Sequence, residues 1–89
     1  MQIVSDSKKV LRAIYDLLDN NSYTLVINVP MDEISKKLNM SKEHLNLCIH
    51  YLILGEYVTG DFVFNRQENS SKEIIFTAKG IEKVENSTL

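Results

Sequence analysis

Two side chains able to bind a metal or act as nucleophiles stand one helical turn apart in the middle of the chain. His44 and Cys48 are four residues apart, a spacing that suits two ligands of a zinc ion. A zinc site needs further ligands, however, and Cys48 is the only cysteine, while His50 belongs to a different helical face. The sequence therefore predicts no metal site. It predicts that Cys48 is a buried structural residue with an inert thiol.

The carboxylates and glycines show no catalytic pattern. Asp32 with Glu33, and Asp16 with Asp19, are neighbours only in sequence, and the charge preferences of helix ends account for them. The glycines are isolated, at positions 55, 60 and 80, so the chain has no glycine-rich phosphate loop. A domain of this size also has little room for a pocket that excludes water. We therefore expect no enzymatic activity, no cofactor and no small-molecule ligand.

The composition is that of a small globular domain. The chain has 89 residues, 44% of them hydrophobic and 25% charged, which predicts a single domain over residues 1–89. Ten basic against twelve acidic residues give a net charge of −2, which excludes bulk-charge binding of nucleic acid but not a local basic patch. A lone cysteine excludes an internal disulfide, and no stretch resembles a signal sequence or a membrane span. We expect a cytoplasmic protein that contacts no membrane.

Hydrophobic spacing predicts three helices in the first two thirds of the chain. The first covers residues 5–19, with Ser5 as its N-cap, and the second covers residues 31–38. The third begins after the N-cap Ser41 and ends near Leu54. The apolar face of the first helix consists of Val10, Leu11, Ile14, Leu17 and Leu18. The apolar stripe of the third helix consists of Leu45, Cys48, Ile49 and Leu52.

Strand-like segments and a short last helix complete the pattern. Residues 23–29 are rich in β-branched and aromatic side chains, and Pro30 stops that strand. A hairpin around the polar loop 67–71 is predicted from the segments 57–58, 62–64 and 73–76. Thr77 then caps a fourth helix. The predicted fold class is α+β, with the order helix-strand-helix-helix-strand-strand-helix.

Residues 31–41 resemble the helix-turn-helix of bacterial winged-helix transcription regulators. In that family an apolar residue stands beside a small one, followed by a leucine, a short turn, and a Ser or Thr that opens the recognition helix. The matching residues in this chain are Ile34, Ser35, Leu38, Asn39, Met40 and Ser41. A small residue at position 35 makes physical sense, because it lets the two helices approach closely. The resemblance implies a single winged-helix domain.

The resemblance continues beyond the turn and covers about residues 5–84. Leu45, Ile49 and Leu52 match the buried positions of the family's recognition helix, and Thr77 with Gly80 match its strand-exit motif. One departure lies in the turn after the third helix. The family usually has Gly directly before the residue that starts the wing, whereas here Gly55 comes one position early and Glu56 fills that place.

The resemblance implies sequence-specific binding of duplex DNA, with the third helix in the major groove and the hairpin wing on the backbone. If the apolar stripe faces the core, helical spacing places Lys42, Glu43, Asn46 and His50 outward. Lys42 and His50 are then predicted to contact phosphate, and Asn46 to pair with adenine. The candidate DNA-binding residues are Lys36, Lys37, Ser41, Lys42, Asn46, His50, Arg66 and Lys72.

Local charge argues against strong DNA binding. Residues 30–58 hold three lysines against four acids, and residues 59–89 hold four basic against five acidic side chains. Phosphate binding usually depends on several unopposed cations. Glu43 would also face the DNA, where only a cytosine amine could donate to it.

A second apolar stripe on the third helix indicates a different function. Leu47, Tyr51 and Leu54 recur at spacings of three and four residues beside the stripe that faces the core. Either this stripe packs against the last helix or the N-terminal segment, or it is an exposed interface, to which Tyr15 of the first helix could add. The alternative function is therefore a winged-helix protein-interaction module, or a homodimeric adaptor, that does not bind DNA.

Overall fold

The computed structural model describes residues 2–18, 24–60 and 71–86. These ranges form four helices and a three-stranded antiparallel sheet, which confirms the predicted α+β class. The helices are α1 (Ile3–Tyr15), α2 (Met31–Leu38), α3 (Lys42–Leu54) and α4 (Ala78–Glu85). The strands are β1 (Val26–Pro30), β2 (Val58–Thr59) and β3 (Ser71–Phe76). None of the helices in these ranges is long and apolar enough to cross a bilayer.

The strand β3 lies in the middle of the sheet, whose order is β1-β3-β2. Ile27 of β1 faces Ile74 of β3, and Val58 of β2 faces Phe76 at the end of β3. Because side chains alternate along a strand, one face of the sheet is apolar and inward. The buried residues on it are Ile27, Val29, Val58, Ile74 and Phe76. They belong to one hydrophobic core shared with the helices.

The helices contribute the apolar faces that their sequences predict. α3 buries its whole predicted stripe, at positions 45, 48, 49 and 52, and it shares a long interface with α1. Val10, Leu11 and Ile14 of α1 are buried as well, whereas Leu17 lies beyond the end of the helix and is exposed. The predicted boundaries of α2, and the N-cap of α3 at Ser41, are confirmed.

The predicted start of α1 is wrong. The helix begins at Ile3 with Gln2 in the N-cap position, so that Ser5 lies within its first turn. The first helical bond already runs from the Asp6 amide to the Gln2 carbonyl, at 2.9 Å. The Ser5 hydroxyl donates weakly to the same carbonyl, at 3.5 Å, instead of accepting from a backbone amide as a cap does.

The end of α1 and the start of β1 also differ from the prediction. The helix ends at Tyr15 because the amides of Leu17 and Leu18 bond to carbonyls only three residues back, which tightens the chain into a turn. β1 begins at Val26, which pairs with Ile75 of β3, and the Phe76 amide donates to the Leu25 carbonyl at 3.0 Å just before the strand. The predictions for residues 19–23, 62–64 and 67–70 lie outside the described residues.

The start of α4 is fixed against the turn that joins α3 to β2. The Thr77 hydroxyl donates to the Glu56 carbonyl at 2.6 Å and accepts from the Gly80 amide at 3.1 Å, which confirms Thr77 as the N-cap. Glu56 has a φ of 66°, in the left-handed region, while Gly55 has a φ of −83°. The turn therefore requires positive φ at the position that is usually glycine in the winged-helix family, and here Glu56 adopts it.

Candidate functional site

The connection between α2 and α3 is a tight, fully bonded turn. Asn39 adopts left-handed angles, φ 55° and ψ 50°, which an asparagine tolerates better than most residues. The Met40 amide then donates to the Ser35 carbonyl at 3.0 Å, closing the end of α2. Ser41 is extended, and its hydroxyl accepts from the His44 amide at 3.1 Å. The N-terminus of α3 is thereby directed away from α2 within three residues.

The small residue predicted inside α2 is buried. Ser35 is 9% exposed, and its hydroxyl donates to the Asp32 carbonyl at 2.9 Å, which satisfies the buried polar group within the helix. A larger side chain at position 35 would have to displace its packed neighbours. A small, buried side chain at position 35 is therefore consistent with the close packing of α2 against α3.

The lysines of the candidate DNA surface lie on both sides of this turn, and they differ in whether they form an ion pair among the described residues. Lys36 and Lys37 are exposed in the last turn of α2, where cations are favourable. Lys42, the first residue of α3, instead places its Nζ 2.7 Å from Oδ1 of Asp32 in α2. The hydrogen bond and charge of Lys42 hold the pKa of the Asp32 carboxyl below its ordinary value, and the charge of Lys36 adds to this shift. The acid predicted to be a helix-end charge is thus also the partner of Lys42.

The two other candidates on α3 differ in accessibility. His50 is exposed. Asn46 is half-buried, and its Oδ1 atom is shielded from solvent without a hydrogen-bond partner in the part of the chain that the structure describes. Asn46 is therefore only partly exposed in this conformation, and its side-chain oxygen does not reach solvent. The amide would have to rotate before it could pair with a base edge.

Three apolar side chains run along the exposed side of α3. Leu47 and Tyr51 are each 40% exposed and Leu54 is 72% exposed, and we refer to these three residues as the apolar ridge. Neither α4 nor the N-terminal helix buries the ridge. Glu43 is exposed in the first turn of α3, so an acidic side chain lies N-terminal to the apolar ridge.

His44 and Cys48, the pair considered as metal ligands, serve the packing of α3 on α1. Nε2 of His44 lies 2.7 Å from Oδ2 of Asp6 in α1, and both side chains are largely shielded. Cys48 is fully buried, and this burial raises the pKa of its thiol. Within the described ranges, no cluster of three or more His, Cys, Asp or Glu side chains is arranged to hold a metal ion.

The structure places Lys36 and Lys37 in α2, Ser41 before α3, and Lys42 and His50 in α3, all of them exposed, whereas Asn46 is half-buried. Arg66 lies outside the described residues. Lys72 belongs to β3, but its side chain is likewise outside what the structure describes. The sequence reasoning missed the partnership of Asp32 with Lys42, which local spacing could not reveal across a turn. No protein-family model, curated protein or solved structure matches this chain.

Proposed function

We propose that the chain is a winged-helix domain that binds duplex DNA, with α3 in the major groove and the β2–β3 hairpin on the backbone. The observation that carries this proposal is the α2–turn–α3 unit, whose left-handed Asn39 and capping Ser41 present the N-terminal end of α3 beside exposed lysines. The small α+β architecture of four helices and a three-stranded antiparallel sheet supports it, because it is compatible with a winged-helix fold. Helix-turn-helix proteins place the N-terminal residues of the second helix against base edges.

The charges set the strength expected of this binding. Lys36 and Lys37 are available to phosphate, and Lys42 is available once it leaves Asp32. Exposed Glu33 and Glu43 oppose them on the same unit. Three phosphate contacts give a small electrostatic contribution, so the non-specific affinity is low and falls with salt.

The salt dependence of duplex binding tests the proposal. For a mixed-sequence duplex of about 20 base pairs, three phosphate contacts predict a log–log slope near −2.7, a loss of about 40-fold between 50 and 200 mM salt. Lys36→Ala and Lys37→Ala should each make that slope shallower by about 0.9. Fluorescence anisotropy measures the affinities, and Lys8→Ala, an exposed lysine on α1, is the matched control. An affinity that does not depend on salt would contradict the proposal. So would a Lys8→Ala variant that weakens binding as much as Lys36→Ala or Lys37→Ala.

A second candidate function is protein recognition through α3. The apolar ridge favours it, because contiguous exposed apolar side chains are typical of protein interaction surfaces. The smallest assembly that covers the ridge is a dimer in which two α3 helices pack against each other around a two-fold axis. Such a dimer would use the side of α3 that carries Leu47, Tyr51 and Leu54, next to the side that carries Lys42 and His50.

Self-association distinguishes this candidate from the first. If the ridge is a dimer interface, sedimentation at micromolar concentration should show a dimer that Leu47→Glu or Tyr51→Glu converts to monomer, since a carboxylate buried there is unpaired. Val4→Glu is the control, because Val4 is an exposed apolar residue on α1 with a fractional exposure of 55%. A wild-type protein that sediments only as a monomer would rule out the homodimer.

A further inference from the structure

We infer that Asp32 is an autoinhibitory residue, which withholds Lys42 from a phosphate by pairing with it across the turn between α2 and α3. The inference rests on the DNA-binding function proposed above and concerns the regulation of that same surface. It predicts that a DNA phosphate must displace Asp32 from Lys42 before the chain binds with its full set of cations, which lowers the affinity.

The geometry of the pair supports this role. Nζ of Lys42 and Oδ1 of Asp32 are 2.7 Å apart, close enough for a charge-assisted hydrogen bond. The two residues belong to different helices, Asp32 to the first turn of α2 and Lys42 to the first turn of α3. A phosphate oxygen that binds Lys42 would need the same ammonium group, so phosphate and carboxylate compete for one cation.

The pair is also open to exchange. The side chains of Lys42 and Asp32 are 44% and 55% exposed, so water and counterions reach both of them. Exposed ion pairs of this kind are weak and break readily. The Asp32 carboxylate also feels Lys36, one turn further along α2, so one acid acts on two lysines of the candidate surface.

Removing the carboxylate should therefore strengthen DNA binding. The gain corresponds to the cost of breaking an exposed ion pair, which is small, so Asp32→Asn should bind up to about fivefold tighter than the wild type with a similar log–log salt slope. Asp32→Asn is the variant that releases Lys42 while keeping nearly the same shape. The gain should disappear in a Lys42→Met background, because the liberated cation is then absent.

Glu33→Gln is the matched control for Asp32→Asn. Glu33 is the next residue in the first turn of α2, it is exposed, and it forms no ion pair with any residue that the structure describes. Both variants remove one negative charge from the same helix end, so they change the net charge and the helix-dipole interaction alike. Only Asp32→Asn frees a lysine, and its affinity gain should exceed that of Glu33→Gln by several-fold.

The experiment measures duplex binding of the full chain and these variants by anisotropy over a salt series, with circular dichroism to verify folding. An NMR titration gives an independent readout without DNA, in which Lys42→Met should raise the pKa of Asp32 toward its ordinary value. If the wild type binds with the expected salt slope but Asp32→Asn binds no tighter than Glu33→Gln, the autoinhibitory role is wrong and the DNA-binding proposal stands. If neither the wild type nor Asp32→Asn shows salt-dependent binding, both proposals are wrong.

Discussion

Replacing Gly80 with alanine should destabilise the fold more than the same replacement at either of the other two glycines that the structure describes, Gly55 and Gly60. A Cβ at position 80 would lie 1.9 Å from the carbonyl oxygen of Tyr57 and 2.9 Å from its carbonyl carbon. Both are backbone atoms in the segment leading into β2, and they cannot rotate away as a side chain does. We expect a loss of at least about 3 kcal/mol in the free energy of unfolding, because the overpacked segment must shift.

The close approach at Gly80 is part of the connection that holds α4 on the rest of the domain. The Thr77 amide donates to the Tyr57 carbonyl at 3.3 Å, and the Thr77 hydroxyl joins the Glu56 carbonyl to the Gly80 amide. A displaced α4 would lose these bonds together. It would also lose the burial of Val84 and the 2.6 Å hydrogen bond from Tyr15 in α1 to Glu85.

Gly55→Ala is the control for this substitution. A Cβ at position 55 would also be too close to Tyr57, at 2.8 Å, but the atom it meets belongs to a half-buried side chain and not to the backbone, and the φ of −83° suits alanine. Urea unfolding of both variants gives the comparison. A domain of this length has a total stability of about 4–13 kcal/mol, so Gly80→Ala should remove between about a quarter and three quarters of it. A Gly80→Ala protein as stable as Gly55→Ala would show that α4 does not depend on this contact.

Local signals predicted the parts of the fold that local chemistry determines. The buried stripe of α3, the capping residues Ser41 and Thr77, and the bounds of α2 follow from helical periodicity and hydroxyl capping within a few residues. The ends of α1 and β1 were not predicted correctly. The beginning of β1 is determined by its pairing with β3, which comes more than forty residues later in the chain.

The state of the candidate site depends on contacts between distant residues, which spacing does not reveal. The sequence indicated Lys42 as an available cation, and the structure pairs it with Asp32, ten residues earlier. His44 was considered as a metal ligand, and the structure pairs it with Asp6 of α1. In both cases the sequence identified the polar side chain but not its ion-pair partner. The partner lies on another helix, and its position depends on how the two helices pack.

The second large effect on stability is expected from a substitution in α3. Two leucines in this helix, two positions apart, differ in burial, so they distinguish core packing from a role at the surface. Leu45 is fully buried in the core, whereas Leu47 belongs to the apolar ridge and is 40% exposed. Leu45→Ala should lower the free energy of unfolding by about 3–5 kcal/mol, because it removes buried methyl groups and leaves a cavity. Leu47→Ala should lower it by no more than about 1 kcal/mol, since solvent already reaches the side chain.

Urea unfolding followed by circular dichroism measures both variants under one set of conditions, and alanine keeps the helix propensity of position 45 and 47 equal. A cost at Leu47 as large as that at Leu45 would mean that the ridge is covered in solution, as it would be in a dimer. In that case the cost should depend on protein concentration, because dissociation contributes to unfolding. A small cost at Leu47 that is independent of concentration would mean that the apolar ridge is uncovered in the isolated chain, and it would contradict the dimer.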